Sequence, residues 1–164
     1  MEELYKYLSP FIAAFLASYG TYLFTIRGKK YDILLRERIT AFKTVQQRIV
    51  SLKRYCLAMI AEYEGNEFAP HFEGLSDEDK MSALEHRAKL SHIVEDNLIF
   101  LSHSSRKSLN ELDGQLSLLC NLELLLAGNP DETIKSSAKS AYDATFSIIE
   151  SCIDELYSEL KLPK

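Results

Sequence analysis

Apolar positions along this chain follow three regimes. Residues 7–26, YLSPFIAAFLASYGTYLFTI, carry no charged side chain. At 1.5 Å per residue a helix of that length measures about 30 Å, the thickness of a bilayer core. From residue 29 the pattern becomes a seam. Leu35, Ile39, Phe42, Val45, Ile49, Leu52, Cys56, Met59 and Tyr63 recur at steps of four and three, which predicts one long helix over 29–64, continuous with the uncharged stretch and ended by Gly65. Beyond it the pattern is that of separate amphipathic helices. Residues 65–75 read as a loop made apolar by Phe68, Pro70 and Phe72, lying against the bundle. Ser76 with Asp79 resembles a capping box, and Met81, Leu84, Ala88, Ile93, Val94, Leu98 and Leu101 predict a helix to about residue 103. A third helix over 105–127 carries Leu109, Leu112, Leu116, Leu119 and Leu126 on one side. Leu118, Leu122 and Leu125 lie elsewhere on it, so burial on more than one side is expected, the extra face suiting packing between subunits. Gly128, Asn129 and Pro130 then stop and restart the chain, with Asn129 as cap, before a fourth helix to about residue 160 through Ile134, Ala138, Ala141, Thr145, Ile148, Cys152 and Leu156. The fold class expected is all-α: one N-terminal transmembrane helix (domain 1–28) followed by a cytoplasmic antiparallel bundle of about four helices (domain 29–164).

The uncharged stretch has internal detail. Ala14, Ser18, Thr21 and Thr25 stand at 4-3-4 spacing, which keeps them on one helix face. Small residues allow close helix approach in lipid, and hydroxyls bond across helices. That face is the candidate pore lining or oligomer contact. Tyr5, Tyr7, Tyr19 and Tyr22 suit the bilayer interfaces, and Arg27, Lys29 and Lys30 on the following flank place the C-terminal side in the cytoplasm. The location expected is the bacterial inner membrane, single-pass, with the N-terminus outside. A buried core helix of a soluble domain is the competing assignment for the stretch.

Charge changes the picture more than composition does. The net −5 of the 164 residues is unevenly spread. Residues 1–26 carry −1, residues 27–54 carry +7 and residues 55–164 carry −11. A basic collar therefore joins an uncharged stretch to an acidic body. Such a body does not bind nucleic acid broadly, but the collar attracts anions. Within the collar Lys29, Arg36, Lys43 and Arg54 fall within about 40° of one line at 100° per residue, opposite the apolar seam. This stripe is the candidate site for an anionic ligand, such as an oligonucleotide, or for an acidic partner surface. Arg38 falls on the apolar side instead and calls for an acidic partner.

Motifs for catalysis are missing. His71, His86, His92 and His103 stand in no Glu-x-x-His or His-Glu-x-x-His pattern, and each is expected at the surface or core edge. There is no phosphate-cradling glycine loop and no G-x-S-x-G elbow. Cys56, Cys120 and Cys152 are odd in number, lack C-x-x-C spacing and lie among apolar residues, so buried reduced thiols are expected. The chain is expected to be neither an enzyme nor a holder of metal or cofactor.

The polar-faced stretch at 7–26 and the basic helix beginning RGKKYDILLRER make the layout similar to small bacterial membrane effectors of anti-phage defence operons, the Hailong-type effector among them. The resemblance implies a homo-oligomeric ion channel whose opening depolarises the cell. Its cytoplasmic bundle would act as gate, held closed by a bound oligonucleotide, and an operon-encoded protein is a further possible partner. The alternative from architecture alone is a membrane-tethered helical adaptor that binds another protein.

Overall fold

A computed structural model describes residues 2–66, 72–129 and 131–160; the side chains of 2–10, Ile12 and Leu160 are outside that description. Among the described residues there are four α-helices, two short 3-10 turns and no strand: α1 (Glu2–Glu64), α2 (Ala83–Asp96), α3 (His103–Gly128) and α4 (Glu132–Leu160). The loop residues Phe68 and Pro70, with His71 and the restart residue Pro130, lie outside the described residues. The chain divides into two compact units, Met1–Arg38 and Ile39–Lys164.

The second unit is a packed helical bundle. Its core joins Phe42, Val45, Ile49 and Leu52 of α1 to Leu109, Leu112, Leu116 and Leu119 of α3 and to Tyr142, Ile149, Cys152 and Leu156 of α4, with Leu90 from α2. Each fully buried aliphatic side chain here contributes about 1.5–3 kcal/mol relative to exposure. The seam read from the sequence is real from Phe42 onward. Leu35, in the first unit, and Ile39, the first residue of the second, are exposed instead.

Local chemistry sets the helix ends. Gly65 takes a φ of 63°, and the pair Asn66 N–H to Ala61 carbonyl (3.0 Å) and Gly65 N–H to Glu62 carbonyl (3.2 Å) closes α1 in a Schellman motif. The capping box of α2 is not at Ser76–Asp79. It lies at Ser82, whose hydroxyl accepts from Glu85 N while Glu85 returns a bond to Ser82 N. Asp79 is drawn away to α1, residues 76–79 form a turn, and the N-cap lies at Ser82 instead of Ser76. It also stops earlier, at Asp96, where the Asn97 N–H bonds back to the Ile93 carbonyl. Leu84, Ala88 and Leu98, expected inward, are exposed. α3 starts behind Ser102, which accepts from Ser105 N at 3.1 Å. Its far end is closed by Asn129 N to the Leu125 carbonyl at 2.8 Å, which makes Asn129 the C-cap of α3 rather than the cap of α4. Of the second leucine side of α3, Leu118 and Leu125 are exposed, while Leu122 is half-buried against the core.

Residues 11–38 are helical, and Phe11, Phe15, Leu16, Tyr19, Tyr22 and Phe24 are exposed. Among the described residues no helix is long and apolar enough to cross a membrane. The transmembrane assignment of 7–26 is therefore not supported by this measure. Residues 7–10 and Ile12 of that stretch, with Tyr5, lie outside the described side chains.

Candidate functional site

Two polar constellations stand out in the second unit. The first is a surface groove of about 500 Å³ lined by Lys43, Gln46, Gln47, Ser51 and Arg54 of α1 and by Ser76, Glu78 and Asp79 of the turn before α2. Helical spacing sets its wall, since residues 43, 47, 50, 51 and 54 share one side of α1. Asp79 forms its floor and is buried. Its carboxylate accepts from Ser51 Oγ at 2.5 Å and from Arg54 at 3.4 Å. Burial works against the Asp79 anion. The bonds from Ser51, Ser76 and Arg54 outweigh that and hold its carboxyl below the usual range. The Asp79 carbonyl meets His86 Nε2 at 3.3 Å, so one residue ties the turn to both α1 and α2.

The second constellation is interior. Glu123 of α3 accepts from the hydroxyls of Tyr55 (2.5 Å) and Tyr142 (2.6 Å) on one oxygen and from Ala83 N, in the first turn of α2, at 3.1 Å on the other. Three helices thus converge on one carboxylate, which also meets the positive end of the α2 dipole. Burial first, and then the Glu123 charge, push the Tyr55 hydroxyl well above its ordinary range; burial and the neighbouring Tyr55 and Glu123 do the same for Tyr142. The His86 ring lies tilted against the Tyr55 ring, with centroids 5.0 Å apart, and is fully buried. This corrects the expectation of a surface or core-edge position. Burial holds its pKa below 6.5.

The residues expected from sequence distribute as follows. Lys43 and Arg54 share the groove, while Lys29 and Arg36 belong to the other unit, where both are exposed. Ala14, Ser18, Thr21 and Thr25 are exposed on the helix of the first unit. Thr21 donates to the Ala17 carbonyl (2.9 Å) and Thr25 to the Thr21 carbonyl (2.8 Å), so both hydroxyl protons stay within the helix. Ser51, Asp79, Glu123, Tyr55, Tyr142 and His86 were not anticipated. A signal existed for Glu123, the single charged residue between Asp113 and Asp131, set in a leucine run. Asp79 gave none, because its partners lie 25 and 28 residues away.

The cysteines are free and buried. Burial pushes the Cys152 thiol up to about 12 and the Cys56 thiol up as well, which leaves both inert at neutral pH. Among the described residues no group of three His, Cys, Asp or Glu could hold a metal ion. No family model matches the chain, and no curated protein and no solved structure matches it.

Proposed function

We propose that this chain is a homo-oligomeric membrane effector, with the helix of its first unit clustered with its copies in a bilayer and its second unit carrying the regulatory surface. The observation behind this reading is the run of exposed aromatic and aliphatic side chains on 11–24, within a stretch, 7–26, that carries no charge. Water does not tolerate a continuous face of that kind, and lipid or other copies would cover it. Leu16, Tyr19 and Leu23 point away from the Ala14–Ser18–Thr21–Thr25 line at 100° per residue. A single helix of this mixed character is poorly suited to lipid. In a cluster the small hydroxyl side turns inward, and internal bonding of Thr21 and Thr25 lowers the cost of burying them. Ion conduction through the cluster, controlled by an oligonucleotide, another anion or a partner at the Lys43–Arg54 groove, is the activity proposed.

The test is expression of the full chain in a bacterial host, with alkaline extraction of membranes and membrane potential recorded in the same cells. Retention in the membrane and depolarisation abolished by Thr21→Leu with Thr25→Leu are expected. Release of the chain by alkaline extraction without detergent would overturn membrane insertion.

One observation favours a second reading, a membrane-tethered adaptor. The groove holds Glu78 and Asp79 beside Lys43 and Arg54, and Arg54 already pairs with Asp79. A surface of both signs suits a protein partner better than a polyanion. Retention in the membrane with an unchanged potential in every variant would favour the adaptor.

A further inference from the structure

We infer that Arg27, Lys29 and Lys30 bind the headgroups of anionic phospholipids at one face of a bilayer. The inference rests on the membrane reading above and adds a lipid class to it. The basic stripe expected from sequence is divided between the two units: Lys43 and Arg54 line the groove of the second, while Lys29 and Arg36 belong to the first. Depth along the helix sets what the first unit's cations meet. Ile26 ends the uncharged stretch, and Arg27 follows it with no spacer. At 1.5 Å per residue, Arg27, Lys29 and Lys30 lie about 1.5–6 Å beyond Ile26 along the axis. The headgroup layer on each side of a bilayer core is about 5–8 Å thick, so all three cations fall within one layer when 7–26 spans the core. The three are exposed, and no acidic residue stands between Glu3 and Asp32. Tyr22 and Tyr31, also exposed, stand about 6–8 Å to either side of Ile26 and suit the boundary between core and water.

Arrangement around the axis selects the ligand. At 100° per residue Arg27 and Lys29 stand about 160° apart, with Lys30 between them. A rod-like polyanion or an acidic peptide lies along one side of a helix and leaves one of that pair in water. Headgroups surround a helix that crosses their layer and reach both. The cations also share their sides with apolar residues. In projection Ile33 falls between Lys29 and Lys30, and Leu34 between Lys30 and Arg27, and both are exposed. Charged and apolar side chains are thus sorted along the axis rather than around it. A helix lying in the interface needs the opposite, one charged face and one apolar face. Charge then separates the lipids. Each Lys or Arg close to an anionic surface raises association roughly fivefold, and zwitterionic headgroups offer no net charge to supply that gain.

Lipid selectivity of the full chain tests this. The chain is reconstituted in phosphatidylcholine vesicles, washed at alkaline pH and floated. The vesicles then receive spin-labelled phosphatidylglycerol or spin-labelled phosphatidylcholine, and electron spin resonance reads the motionally restricted fraction of each label. The chain is expected to float after the wash and to restrict the phosphatidylglycerol label several-fold more strongly than the phosphatidylcholine label. That preference should shrink for the native chain at about 1 M salt, where screening is nearly complete. It should vanish when Arg27→Gln, Lys29→Gln and Lys30→Gln are combined. It should persist in Arg36→Gln, because Arg36 lies about 15 Å beyond Ile26, past the headgroup layer. Equal restriction of the two labels by the floated native chain, or a preference that ignores salt, would overturn the headgroup site and leave membrane insertion standing. A preference lost as fully in Arg36→Gln as in the triple variant would overturn the assignment to these three residues. Release of the native chain by the alkaline wash would overturn insertion, and the site with it.

Discussion

The two units share one helix and use it differently. On α1, Ile33 is 60% exposed and Phe24 79% exposed, while Ile49 and Val45 are fully buried. The residue types barely change across Ile39; within the second unit, side chains of α2, α3 and α4 meet the apolar face of α1. A short helix held only by its own hydrogen bonds is marginal in water, and most helical stability in proteins comes from packing one face. The bundle half of α1 has that packing within the chain. In the first unit, taken by itself, Phe11, Phe15, Phe24 and Ile33 are exposed.

The largest expected effect tests this contrast on one residue type. Ile49→Ala opens a cavity in the core, and should lower the unfolding free energy by about 2–5 kcal/mol in denaturant titration of the detergent-solubilised chain. Ile33→Ala should change it by less than about 0.5 kcal/mol, as exposed substitutions do. Equal losses would mean that the first unit packs as tightly as the second, and the comparison would fail.

The next effect concerns the interior of the bundle alone. Glu123→Ala leaves the hydroxyls of Tyr55 and Tyr142 and the N–H of Ala83 without their acceptor. A cost of about 1–3 kcal/mol is expected. The same region carries a pH dependence. Burial keeps His86 neutral in the fold, its pKa lying below 6.5, while in the unfolded chain it titrates near that value. The unfolded state therefore binds more protons once the pH drops below about 6.5, and stability falls from there toward the folded-state pKa. Asp79 and Asp113 add to the loss only at lower pH. Both folded-state pKa values are depressed, so their stabilisation is present above the unfolded carboxylate range and disappears as the pH falls through the folded values. Thermal unfolding at pH 7 and pH 5.5 should show a drop that His86→Gln reduces. An identical drop in the variant would assign the acid sensitivity elsewhere.

Much of the bundle was legible in the sequence for a physical reason. The apolar seam from Phe42 to Cys56, the leucine line Leu109–Leu119 and the stop at Gly65 are local patterns, and local patterns survive into the fold. What was misread depended on distant partners. Ser76 and Asp79 have the spacing of a capping box, but Ser51 and Arg54 capture the carboxylate, and Ser82 with Glu85 caps the helix instead. His86 has nothing beside it in sequence to mark it as buried. Its environment comes from Tyr55 and from the Asp79 carbonyl. Of the basic stripe, the shared helix face was readable, and the pairing of Arg54 with Asp79 was not.

The smallest effect compares the same chemistry in both units, a hydroxyl bonded to backbone. In the bundle, Ser82 Oγ accepts from Glu85 N at 3.3 Å, filling a helix-end donor that has no partner within the helix. Ser82→Ala should therefore cost about 1 kcal/mol, the usual size for loss of such a cap. In the first unit, Thr21 donates to the Ala17 carbonyl, which the helix already engages through its own N–H ladder. Thr21→Val removes no required bond and keeps the shape, so the denaturation midpoint of the bundle should not move. The two variants, measured side by side by chemical denaturation, separate a hydroxyl that completes a helix from one that only shields itself. A midpoint lowered equally by Thr21→Val would mean that the first unit's helix limits the stability of the bundle, which its open, unpacked side chains argue against.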